Sequence, residues 1–134
     1  MIWATDYLGI PYQGGGRTRE GLDCYGLLAL VLRERFDIEI ELFDGLDGLN
    51  AADQESVDRF WDDQVGSEWN EIPLGEEKPG DAVNLIVMRR HHCGVVIGQG
   101  MMLHTTEQAG VAIESYTRGR FCRRFRNIYR HRQR

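Results

Sequence analysis

Two patterns of apolar residues divide the chain. Residues 27–32 read Leu-Leu-Ala-Leu-Val-Leu without a polar break and are followed by Arg33, Glu34 and Arg35. A run that is apolar on every side suits a helix enclosed in a core. Asp23 stands at the N-cap position, so the predicted helix carries Cys24 in its first turn and ends near Phe36 and Asp37. After Pro79-Gly80-Asp81, a predicted turn, the period changes. Residues 83–88, 94–97, 101–103 and 111–113 are short apolar runs parted by turn residues, the pattern of an antiparallel meander. A helix first and strands afterwards make an α+β domain.

The remaining stretches are polar or glycine-rich. Residues 7–21 contain Pro11, Gly14-Gly15-Gly16 and Gly21, which predict a tightly turning loop ahead of the helix. Residues 42–78 are acidic and hold no steady period, although 53–65 predict a surface helix with Val57, Phe60, Trp61 and Gln64 on one side.

Composition adds limits. With 134 residues, 42% hydrophobic and 28% charged, the chain reads as one domain over 1–134. The net charge of −5 gives no general affinity for nucleic acid. Residues 118–134 hold eight arginines and no acid, which leaves −5 − 8 = −13 on the remainder. The arginine-rich end reads as a solvated face that balances the acidic body. Glu39, Glu41 and the acids of 44–63 match no cation-binding loop and read as solvated surface. Phe60, Trp61 and Trp69 read as core packing. No stretch is long enough to cross a bilayer, so no membrane insertion is expected. The first residues, Met-Ile-Trp-Ala-Thr-Asp-Tyr, lack a basic segment followed by an apolar core, so synthesis in the cytoplasm without a signal peptide is expected.

Candidate chemistry centres on Cys24. The cysteines at 24, 93 and 122 are odd in number and irregularly spaced, which points to free thiols. On position alone Cys24 reads equally as a reactive thiol, favoured by the positive end of a helix dipole, and as a small buried hydrophobe. The histidines tip the balance. A hairpin turn centred on Gln99 pairs residues whose numbers sum to 198, so His104 lies opposite position 94. His92 and His104 then share a sheet face as diagonal neighbours, while His91 and Cys93 fall on the other. A base oriented by a second polar group is the logic of a catalytic triad. The same three residues also have the chemistry of a three-ligand zinc site, without the close-spaced ligand pairs of common ones.

Five segments in order then carry a resemblance. Tyr12-Gln-Gly-Gly-Gly, Gly21-Leu-Asp-Cys24-Tyr-Gly-Leu, Pro79-Gly-Asp, His92-Cys-Gly-Val-Val-Ile-Gly and Met102-Leu-His104 together resemble the NlpC-type family of cell-wall cysteine peptidases. The ending from Tyr116 to Tyr129 is similar to the phage-tail branch of that family. The resemblance implies a papain-like α+β fold in which an N-terminal helix bearing the nucleophile packs on an antiparallel sheet. It implies Cys24 as nucleophile, His92 as base and His104 as the orienting third residue. Tyr12 would stand beside the centre as an oxyanion or substrate contact, with Asp23 and Tyr25 at substrate-binding positions. No metal or cofactor is required. The implied reaction is hydrolysis of an amide bond in peptidoglycan stem peptides, often γ-D-glutamyl to diamino acid, by a phage or prophage tail-associated enzyme. Many bacterial members carry serine directly after the cysteine, where this chain has Tyr25, which leaves the cleaved bond open. The alternatives are a tail-tip assembly protein that uses the fold to dock on other tail proteins and, less favoured, an acyltransferase.

Overall fold

The computed structural model describes residues 3–40 and 68–134. The surface helix expected over 53–65, and with it Phe60, Trp61 and the acids of 44–63, lies outside the described residues. A 3-10 turn, Trp3–Tyr7, comes first, followed by a glycine-rich loop and a small hairpin of β1 (Arg17–Thr18) and β2 (Gly21–Leu22). Helix α1 covers Cys24–Phe36, starting and stopping where the pattern predicts. Its first turn is capped by Asp23, whose side chain accepts from the Gly26 N–H, and it ends at Asp37 in the left-handed conformation (φ 56°). Arg33 and Arg35 in the last turn complement the negative end of the helix dipole.

The strands β3 (Trp69–Ile72), β4 (Ala82–Val87), β5 (Arg90–Gly98), β6 (Met101–Thr106), β7 (Gly110–Ser115) and β8 (Phe125–His131) form one antiparallel sheet in the order β3-β8-β4-β5-β6-β7. This is an α+β fold with the helix on one face. Leu27, Leu28, Val31 and Leu32 are fully buried, in one cluster with Ala82, Cys93, Val95, Ile97 and Leu103 from the sheet and Ala4, Tyr7 and Ile10 from the N-terminal segment. The helix is thus covered by the sheet on one side and the chain's start on the other, which is why its sequence is apolar all round. Each such side chain contributes about 1.5–3 kcal/mol by leaving water. The opposite sheet face holds Val83, Leu85, Val96, Met102 and Ile128 beneath Tyr116 and Phe121.

The meander from β4 to β7 follows the expected pattern. Two further strands, β3 and β8, were not legible in it. β8 lies inside the sheet between β3 and β4, with Ile128 and Tyr129 buried. This corrects the reading of residues 118–134 as a solvated face. Asp81, fully buried, accepts hydrogen bonds from Arg130 Nε and Nη2 (2.9 and 2.8 Å) and from Arg134 Nη1 (2.8 Å). Part of the basic end therefore neutralises one buried carboxylate and ties the last strand to the turn before β4. Trp69 is buried in the helix-side core, as expected. Among the described residues, no helix is long and apolar enough to cross a membrane.

Candidate active site

The loop before the helix is held against β2, and this places Tyr12 and Cys24 together. Tyr12 bridges Leu22 in parallel, Gln13 N–H donates to the Leu22 carbonyl (3.1 Å), and Leu22 N–H donates to the Pro11 carbonyl (3.0 Å). Leu22 leads directly through Asp23 to Cys24. The loop also packs on the first helical turn: a Cβ at Gly26 would lie 2.1 Å from the Gly16 carbonyl oxygen, so only glycine fits there. Asp23 Oδ1 accepts from Gly26 N–H (2.7 Å) and Arg17 Nη1 (2.8 Å), and its Oδ2 from Gly15 N–H (2.9 Å). Burial, with the neighbouring Cys24, still holds its carboxyl above the usual range, against the pull of Arg17 and Gly26.

Cys24 is partly exposed. The Cys93 thiol, His92 and the Cys93 backbone are close enough to its thiol to set its acidity. The Cys93 thiol comes first among the causes that hold the Cys24 thiol well below the ordinary thiol range; burial opposes it, and the bond and charge of His92 add to it. Cys93 moves the other way, raised well above that range by its bond to Cys24 and by burial. The two shifts run in opposite directions, which makes Cys24 the more acidic thiol of the pair. Burial raises the Tyr12 hydroxyl, with the Cys24 charge as the second cause, which puts that hydroxyl close to the sulfur's field.

On β5 and β6 the pairs Val95↔Leu103 and Val96↔Met102 sum to 198, and a bulge shifts the register only beside the turn, at Gly98↔Met101. The two histidines therefore share a face, and His92 Nε2 lies 2.9 Å from His104 Nδ1. Gly94 lies between them on that face. A Cβ there would meet Met102 Sδ at 2.6 Å, so the strand has no room for a side chain at this point. His104 is fully buried, and its Nε2 reaches Glu114 Oε1 at 3.2 Å. Burial first, and then the charge of His92, bring the His104 pKa down to about 4, with Glu114 opposing. Glu114 is gripped by Arg120 through Nε–Oε2 (3.0 Å) and Nη2–Oε1 (2.6 Å), which keeps its carboxyl below the usual range. Phe121 lies nearly parallel to the His92 ring (6.3 Å, 15°) and edge-on to His104 (4.9 Å, 83°).

The structure thus brings together Cys24, His92 and His104, with Tyr12 and Asp23 beside them. Tyr25 it does not bring to the surface of the site: the residue is 3% exposed, within the helix-side core. His91 Nδ1 is close to Asn84 Oδ1 (3.2 Å). Cys93 corrects the sequence reading. It does fall on the face opposite the histidines, but that is the face on which α1 packs and from which Cys24 enters. Glu114, Arg120 and Phe121 escaped the sequence reading, although a β6–β7 pairing of Thr106↔Gly110 puts Glu114 opposite Met102 and beside His104 on one face. Among the described residues no group of three or more His, Cys, Asp or Glu is arranged to hold a metal ion, and His104 already uses both ring nitrogens on His92 and Glu114.

This arrangement can ionise a thiol, pass its proton to an imidazole and support the imidazolium through a second ring, which is the equipment for nucleophilic acyl transfer. Known proteins agree with the architecture. The NlpC domain of the peptidoglycan hydrolase SagA superposes with a TM-score of 0.65 at 19% identity, over 96% of this chain and 93% of that one. An NlpC/P60 family protein from Bacillus cereus gives 0.66 at 17% identity, over 96% of this chain and 37% of that one. In sequence, the chain is 28% identical over 111 residues to a probable endopeptidase NlpC homolog of Haemophilus influenzae, covering 83% of this chain and 50% of that protein. It is 24% identical over 115 residues to the murein DD-endopeptidase MepS/murein LD-carboxypeptidase of Escherichia coli, with the same coverage of 83% and 50%. The chain therefore spans about half the length of the curated relatives it matches. The sequence profile of the NlpC/P60 family matches residues 9–130, and the chain belongs to that family.

Proposed function

We propose that this chain is a cysteine peptidase that hydrolyses an amide bond of peptidoglycan stem peptides. One observation carries the reading: a helix-start thiol stands beside His92, which helps hold it below the ordinary thiol range, and His92 Nε2 is 2.9 Å from a second, buried histidine. The relatives named as endopeptidases and as a peptidoglycan hydrolase supply the substrate class.

The steps follow from the geometry. The Cys24 thiolate attacks the amide carbonyl, and the oxyanion is met by the Cys24 backbone N–H, a helix-start donor with no intrahelical partner, and by the Tyr12 hydroxyl. The His92 imidazolium gives its proton to the leaving amine. Water deprotonated by His92 then hydrolyses the thioester and frees Cys24.

The bond proposed is that between γ-D-glutamyl and the diamino acid. The Asp23 carboxylate serves three donors and keeps accepting capacity on Oδ2, whereas Tyr25 is buried, so of the two only Asp23 can still meet the stem peptide's amine. The likeness of residues 116–129 to the phage-tail branch supports a tail-associated hydrolase, made in the cytoplasm, carried with tail-tip proteins and meeting the wall as the virion docks.

Digestion of purified peptidoglycan, read by mass spectrometry of the released fragments, tests the proposal. Wild-type chain should release stem-peptide fragments, and Cys24→Ala should release none. Equal digestion by both would overturn the mechanism, and a wild type that cuts nothing while binding tail-tip proteins would favour the docking alternative.

A further inference from the structure

The two histidines do not end the chain of hydrogen bonds. It continues through His104 Nε2 to Glu114 Oε1 at 3.2 Å, and Arg120 grips both oxygens of that carboxylate at 3.0 and 2.6 Å. Carboxylate oxygens only accept hydrogen bonds. The hydrogen shared by His104 and Glu114 therefore belongs to His104 Nε2. A neutral His104 protonated at Nε2 has a bare Nδ1, which can only accept. The hydrogen in the 2.9 Å contact must then come from His92 Nε2. A neutral His92 protonated at Nε2 has a bare Nδ1, the nitrogen left to face Cys24, and that is the lone pair a base needs.

We infer that Glu114, clamped by Arg120, is a positioning residue that fixes the tautomers of His104 and His92 in series and so leaves the Cys24-facing nitrogen of His92 free to take the thiol proton. The inference rests on the peptidase reading for its catalytic consequence, but the tautomers themselves do not depend on it. The proton balance closes within the pair: the Cys24 S–H bond breaks, a His92 Nδ1–H bond forms, and no proton moves on to His104 or Glu114. His104 stays neutral throughout and accepts from the imidazolium.

The alternative proton placement shows why an acceptor is needed. Without one beyond Nε2, His104 can carry its hydrogen on Nδ1 and donate to His92 Nε2. His92 then holds its own hydrogen on Nδ1, facing the sulfur, and cannot act as the base. The titratable or charged groups facing this chain are Cys24 from α1, Cys93 from β5, Tyr12 from the loop, Glu114 from β7 and Arg120 from the turn Gly119–Phe121. Of these, only Glu114 is placed to accept from His104 Nε2 among the described residues. Arg120 is mostly exposed on its side-chain surface, 65%, yet its guanidinium also lies 4.6 Å over the Phe121 ring that packs on both imidazoles.

The test uses the whole chain labelled with 15N-histidine. Imidazole nitrogen shifts report which nitrogen bears hydrogen, and peptidoglycan hydrolysis is followed against pH on the same samples. Wild type should show hydrogen on Nε2 of both histidines, with a second on His92 Nδ1 wherever it has taken the thiol proton. Glu114→Leu should move His104 to the Nδ1–H form and lower hydrolysis on the order of 10- to 100-fold. Glu114→Gln, which keeps an accepting oxygen, should retain the wild-type tautomer and most of the rate. Arg120→Gln, a change at an exposed side chain, should leave the fold intact and give an intermediate loss. Unaltered tautomers in Glu114→Leu, or equal rates in the Leu and Gln variants, would overturn the inference. A wild type with the expected tautomers that cuts nothing would overturn the peptidase reading instead.

Discussion

His92 and His104 meet with their rings nearly perpendicular, at 82°, and their facing nitrogens 2.9 Å apart. One ring is partly exposed beside the thiol; the other is fully buried. The exposed ring can therefore gain a proton during reaction, whereas burial disfavours a charge on the buried one. His104 thus acts as a fixed hydrogen-bond acceptor rather than a second base.

Replacing His104 should accordingly separate orientation from bulk. His104→Ala removes the acceptor for His92 and should lower hydrolysis roughly 100-fold or more. His104→Asn retains an oxygen able to accept from His92 and should recover part of that loss. Steady-state rates on purified peptidoglycan check this, with circular dichroism confirming that both variants fold.

Acid should weaken the fold through the same residue. The His104 pKa falls from 6.5 to about 4 on folding, so between these values the unfolded chain binds more protons than the folded one. The stabilisation is complete above about pH 6.5 and is lost as pH falls toward 4, at most about 3 kcal/mol. Glu114, whose carboxyl is held low by Arg120, acts in the same direction. Thermal unfolding from pH 7 to 4 should show a steeper decline in wild type than in His104→Gln.

Cys93→Val should act on chemistry without opening the core. The Cys93 thiol is the first cause of the low Cys24 pKa, and a side chain of similar size without a donor removes it. The Cys24 thiol pKa should rise, and its alkylation near neutral pH should slow, while thermal stability changes little. Alkylation rates against pH measure the shift.

The clamp around Asp81 should matter to stability and not to catalysis. Asp81 is fully buried between Arg130 and Arg134, next to Gly80, which packs on Phe36 at the end of α1 opposite Cys24. Arg130→Ala leaves a buried carboxylate with two of its four hydrogen bonds, from Lys78 N–H and Arg134, and should cost about 2–4 kcal/mol. Denaturant unfolding should show the loss, with the alkylation rate of Cys24 in the native state unchanged.

The parts of this fold that local pattern controls were legible in the sequence. A cap followed by an uninterrupted apolar run located α1 and put Cys24 at its first position. Turn residues around Gln99 were enough to set the register that joins His92 to His104. What was hidden depended on partners distant in sequence. β8 carries arginines where a sheet-interior strand is usually apolar, and only the buried Asp81, roughly fifty residues earlier, explains Arg130. Cys93 faces away from the histidines along β5, and only the docking of α1 on that face reveals its contact with Cys24. Glu114 follows from a second hairpin register, and Arg120 from a turn that no sequence period marks.

The most direct test of the central claim is the rate of Cys24 alkylation by iodoacetamide as a function of pH, in wild type and in His92→Ala. The wild-type thiol should titrate well below the ordinary thiol range, and the His92→Ala thiol should titrate higher. A wild-type thiol that titrates in the ordinary range, or one unaffected by loss of His92, would contradict the account.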